Sequence, residues 1–190
     1  MADPVAISNM ALQRLGQTSI FALDDTGVLA TQCSLTYQAT VYELLESYVW
    51  PFAITRAELG WVETPESNYT PYAYVYNVPA DSLKVLNILD GSFRDSTSDW
   101  KIEGEFLYTD EIHTLYVKYI DKTTDEARFP DLFVTALYLR MAMKMCVKIT
   151  QDQNLLGQIT QEYGEAYLMA TATLGTDNGQ ESQPDGWWTN

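Results

Sequence analysis

The sequence predicts an α+β fold that is mainly helical: a four-helix bundle with an inserted antiparallel β-rich subdomain and a loose C-terminal tail. Three observations carry this expectation. Apolar residues recur at helical spacing over residues 1–50 and again over 122–175. Between them, over 51–121, short alternating runs are separated by turn residues. From Thr176 to Asn190 the chain bears Gly, Gln and Asp, a composition expected to be loose in isolation.

The elements follow in order. Asp3 before Pro4 is a helix start, an acceptor at the cap followed by proline at the first helical position. Val5, Met10, Ala11 and Leu15 trace a loose apolar stripe, and Gly16 is a natural stop. After "QTSIFALDDTG" a second helix is predicted from about Val28 to Tyr48, with Leu29, Cys33, Tyr37, Val41, Leu44, Leu45 and Tyr48 at helical spacing. Pro51 ends it, because the residue before proline disfavours the helical region.

Tyr72, Tyr74 and Tyr76 then fall on one face of a strand bounded by Pro71 and Pro79. Leu83 to Leu89 is a second strand, and "WKIEGEFLYTD" a hairpin turning at Glu103-Gly104. "HTLYVKYI" supplies a further strand, and "GSFRDSTSD" is a polar loop. Helices return with Asp125 as a cap and Pro130 in a first turn. Leu132 to Val147 is apolar on most sides, the mark of a central helix. The last helix, about Asn154 to Leu174, aligns Leu156, Ile159, Tyr163, Tyr167 and Ala170, and Gly175 closes it. Four amphipathic faces can bury one another, so a bundle is the economical packing.

Composition narrows the function. Lys plus Arg total 11 against 26 Asp plus Glu, a net charge of −15 in 190 residues. Grip on nucleic acid comes from cations that displace phosphate counterions, so the balance argues against a DNA-gripping protein. DNA passing along an acidic wall is compatible, since repulsion gives a low-friction surface. The N-terminus lacks the basic and apolar regions of a secretion signal. No apolar run approaches the roughly 18 residues of a membrane span. Cys33 and Cys146 are read as buried free thiols, with a disulfide as the minority alternative, and the expectation is a soluble protein made in a reducing cytoplasm.

No residue set points to catalysis. The one histidine, His113, cannot build a His-rich zinc site, and neither CxxC nor HExxH occurs. Serine or cysteine catalysis would need His113 as its base, and GxSxG is absent. No Gly-rich phosphate loop is present, so no cofactor is expected. Acidic pairs are plentiful, as at Asp24-Asp25, Glu103 with Glu105, Asp110-Glu111 and Asp125-Glu126. A glycosidase needs two carboxylates roughly 5 to 9.5 Å apart, but 26 acidic residues yield close pairs by chance.

Interaction residues are easier to nominate. Arg140, Lys144 and Lys148 repeat every fourth position, either as a docking face for a neighbouring subunit or as a solvent stripe paired with Glu43, Glu46, Glu162 or Glu165. The Tyr72, Tyr74, Tyr76 ladder suits a subunit contact or cross-strand packing, with sugar stacking as the alternative. Met141, Met143 and Met145 are core filler. Trp187-Trp188, two indoles on a polar tail, gain nothing unless something buries them, which favours a tail that docks on a partner, with folding back on its own domain as the alternative.

The order and spacing of several structural motifs resemble the head-to-tail adaptors of tailed phages, the tail tubular protein A-like family. The motifs are Leu15-Gly16 ending a first helix, the Leu23-Asp24-Asp25 linker, a long second helix through Leu44 and the corner Trp50-Pro51-Phe52-Ala53. Tyr76, Pro79 and Asp81 in "YAYVYNVPADSLKVL" match a Tyr-x-Leu-Pro-x-Asp segment, with Val78 where leucine is commoner. "VKYIDKTTDEARFPDLFVTALYLRMA" resembles the approach to the family's third helix. The similarity spans roughly residues 5 to 172, and the tail has no counterpart.

The resemblance implies a ring, commonly of twelve subunits, between the portal and the tail tube or nozzle of a virion, with DNA passing through. The helical part would pack beneath the portal and against neighbouring copies, the β part would face the next tail component, and the tail would reach the portal. In that setting Trp50 and Phe52 would plug the junction between bundle and β subdomain. The alternatives are a tail-associated glycan hydrolase or a carbohydrate-binding tail component.

Overall fold

A computed structural model of the chain describes residues 3–62, 70–111, 114–122 and 125–175. They divide into two compact units, one helical, built from residues up to Phe52 and beyond Thr123, and one of strands, Ala53–Thr123.

The helical unit begins with α1 (Pro4–Arg14), whose N-terminus is capped by the Asp3 carboxylate accepting from the Ala6 amide at 2.8 Å. It closes at Leu15, and Gly16 turns the chain away with a left-handed φ of 68°. Helix α2 (Val28–Ser47) buries Ala30, Cys33, Tyr37, Thr40, Val41, Leu44 and Leu45 on one side. It ends at Ser47, three residues before Trp50, with Tyr48 in extended backbone, and Pro51 opens a single 3₁₀ turn, Pro51–Ala53. Helices α3 (Asp131–Thr150) and α4 (Gln153–Gly175) form a hairpin. Gln151 stands in the left-handed region at its bend, and the Asp152 carboxylate caps α4 by accepting from Asn154 and Leu155.

Helix α3 buries Phe133, Val134, Ala136, Leu137, Leu139, Met141, Ala142, Met145 and Cys146, which lie on nearly all its sides. It accordingly packs against α1, α2 and α4, while the main packing of α4 is on α3. Both cysteines are buried free thiols, and burial raises the Cys33 thiol above its ordinary value.

The strand unit holds two antiparallel sheets. One runs β1-β7-β4, from β1 (Ile54–Glu58), β7 (Tyr116–Asp121) and β4 (Ser82–Leu89). The other runs β2-β3-β6-β5, from β2 (Trp61–Val62), β3 (Tyr74–Asn77), β6 (Phe106–Thr109) and β5 (Trp100–Glu103). Register places Trp61, Tyr76, Leu107 and Ile102 in one row across the second sheet. Ala57, Val117 and Ile88 form a row across the first. Leu59, Tyr76, Ile88, Leu107, Leu115, Val117 and Tyr119 form one apolar core drawn from both sheets. The β5–β6 hairpin turns at Gly104, whose φ of 63° a side-chain-bearing residue would resist.

This architecture corrects the expectation of a mainly helical four-helix bundle with a β insertion. Of the described residues, 49% are helical and 21% are in strands, which build two sheets of three and four strands. The reason lies in the shared core. Two sheets that cover each other's inner faces need no helix to bury them, so the strands make a unit of their own.

Candidate functional site

The corner residues Trp50, Pro51 and Phe52 belong to the helical unit. The Trp50 side chain is 0% exposed and its indole N–H donates to the Leu44 carbonyl at 2.7 Å. Its ring meets Tyr48 and Phe133 edge-on, each at 5.1 Å, and Tyr167 at 6.2 Å. Phe52 stacks edge-on to Phe133 at 4.9 Å and lies 5.9 Å from Phe129. Arg128 donates to the Phe52 carbonyl at 3.1 Å. The corner is thus an aromatic cluster joining the end of α2 to the start of α3.

Two of the three basic residues on α3 are paired within the chain. Arg140 and Lys144 both bond the Glu43 carboxylate of α2, and Arg140 also lies over the Tyr163 ring of α4 at 5.3 Å. Burial alone would raise the Glu43 carboxyl, but the hydrogen bonds from Lys144 and Arg140 outweigh it and hold the group below its usual range. Lys148, one turn further on, is exposed. Arg14 of α1 makes a second bidentate pair with Glu162 of α4, at 2.7 and 2.8 Å, and that bond lowers the Glu162 carboxyl.

The tyrosines separate. Tyr76 is buried and donates to the Glu111 carbonyl, Tyr74 is half-buried on the same strand, and Tyr72 precedes it. Beside Tyr74 opens a groove of about 420 Å³ lined by Glu58, Leu59, Gly60, Trp61, Tyr74, Tyr76 and Thr114. Trp61, on the short edge strand β2, is 62% exposed at its rim.

At least one member of each acidic pair is engaged in structure. Asp25 accepts from the amides of Phe21 and Ala22, Asp110 from Ala73 and Asp125 from Ala127. Glu103 pairs with Lys101, Glu111 accepts from the Ser98 hydroxyl, and Glu126 from Tyr37. Among the described residues no group of three or more His, Cys, Asp or Glu side chains is placed to hold a metal ion, and no helix is long and apolar enough to cross a membrane. Trp187, Trp188 and His113 lie outside the described residues.

Sequence reasoning missed the most outward apolar side chains. Phe21 is 96% exposed in the linker after α1, and Val28 and Leu35, two turns apart on α2, are 72% and 70% exposed. Leu168 and Met169 on α4 are also exposed. The signal for Phe21 was present: one of two adjacent apolar residues in "SIFAL" must face out if Ile20 faces in. Ile20 is buried, its backbone N–H and C=O both bonded to the Asn9 side chain, at 2.8 and 3.0 Å. A groove of about 560 Å³ runs between α1 and α3, lined by Met10, Gln13, Arg14, Asp131, Val134, Thr135 and Tyr138. No family model and no curated protein matches the chain.

Proposed function

We propose that this chain is a structural virion protein, a non-enzymatic head-to-tail adaptor that forms a ring between portal and tail tube or nozzle. The observation that carries the reading is that the residues behind the resemblance hold the fold, and large apolar side chains beside them face outward. Gly16 makes the turn after α1, Asp25 pins the linker, Trp50 seals the end of α2, and Asp81 accepts from the buried Tyr119. Phe21, Val28, Leu35, Leu168 and Met169 present apolar area of the kind a partner surface covers. The net charge of −15 suits a lumen along which DNA slides without being held.

In this reading the chain is made in the bacterial cytoplasm and ends in the virion neck. The Trp187-Trp188 pair docks on the portal, and Lys148 and the outer faces of the helices meet neighbouring copies. Antibody raised against the chain is expected to label the neck of intact virions by electron microscopy. Virions without label, with the chain recovered from host lysate alone, would refute the adaptor. Co-sedimentation with the portal protein is expected to weaken in the double variant Trp187→Ala, Trp188→Ala; undiminished co-sedimentation would remove the tail from the docking role.

One observation favours a second reading, a carbohydrate-binding tail component. The groove beside Trp61 and Tyr74 offers aromatic faces for sugar C–H groups, with Glu58 and Thr114 for sugar hydroxyls. A glycan array is expected to show binding that Trp61→Ala and Tyr74→Ala each abolish. An array blank for the unaltered chain would exclude this reading.

A further inference from the structure

We draw no further inference here: the strongest candidate, the surface patch at the turn after β4 where the exposed Phe93 ring lies against Tyr116 at 4.8 Å, carries nothing because no observation in the structure shows what covers it.

Discussion

The indole N–H of Trp50 donates to the main-chain carbonyl of Leu44 at 2.7 Å, in the last turn of α2. Carbonyls at a helix C-terminus lack intrahelical partners, and this one also receives the Ser47 hydroxyl at 2.7 Å. The side chain that fills the corner therefore also caps the helix that leads into it.

Trp50→Ala should be among the most damaging single changes in the helical unit. It removes a fully buried ring in contact with Tyr48, Phe52, Phe133 and Tyr167, for an expected loss of roughly 3–5 kcal/mol. Trp50→Phe keeps an aromatic ring and loses the indole N–H, while Ser47 still serves the Leu44 carbonyl. The expected cost is about 1 kcal/mol for the hydrogen bond plus some packing. Urea unfolding followed by helical circular dichroism checks both, and equal losses would show that the ring contacts contribute little.

Gly175 and Tyr48 should be energetically coupled. A Cβ at Gly175 would overlap the Tyr48 hydroxyl oxygen and come within 3.2 Å of the ring carbon that bears it. Gly175→Ala is expected to destabilise the chain by about 1–2 kcal/mol through overpacking. In a Tyr48→Phe background, which removes the hydroxyl and keeps the ring carbon at 3.2 Å, the same change should cost less, a coupling of ~1 kcal/mol measured by a double-mutant cycle. Additive effects would place the Tyr48 hydroxyl elsewhere.

Acid should loosen the helical unit through Glu43 and Glu162. Both carboxyls are held below their ordinary value of 4.5, Glu43 by Lys144 and Arg140 against its burial, Glu162 by Arg14. A depressed carboxyl stabilises the fold above that value, and the contribution is lost as pH falls through the lower folded-state value. Both groups are partly exposed, at 42% and 45%, so the effect is screened. Glu43→Gln is expected to cost about 1 kcal/mol at neutral pH and to flatten the fall in stability below pH 4.5. An unchanged acid profile in Glu43→Gln would contradict this.

Alkali should act through Tyr119. Burial first, and then the neighbouring Asp81 and Asp121 charges, push its phenol up to about 12 from 10.0. A raised acid stabilises the fold below the unfolded-state value and loses that contribution as pH rises from 10 toward 12. Tyr119→Phe is expected to remove that part of the alkaline loss, read as the pH dependence of the urea midpoint. A midpoint with the same alkaline slope in Tyr119→Phe would show that the phenol ionises freely.

What the sequence by itself determined is what neighbours along the chain decide. Asp3 with Pro4, the apolar spacing from Val28, the Glu103-Gly104 turn and the apolar girth of Leu132 to Val147 are local or periodic signals, and each corresponds to an observed start, helix, hairpin or buried centre. Tertiary structure decided the rest. Arg140 meets Glu43 across 97 positions, and Tyr119 meets Asp81 across 38. No periodicity reports such pairs, so the basic line on α3 could not be told apart from a docking face. The strand pattern located the β region, but the partition into two sheets came from which inner faces cover each other. That same packing turns Tyr76 inward and leaves Trp61 at an edge, while in the helical unit Phe21 stays outside because Ile20 has taken the buried place.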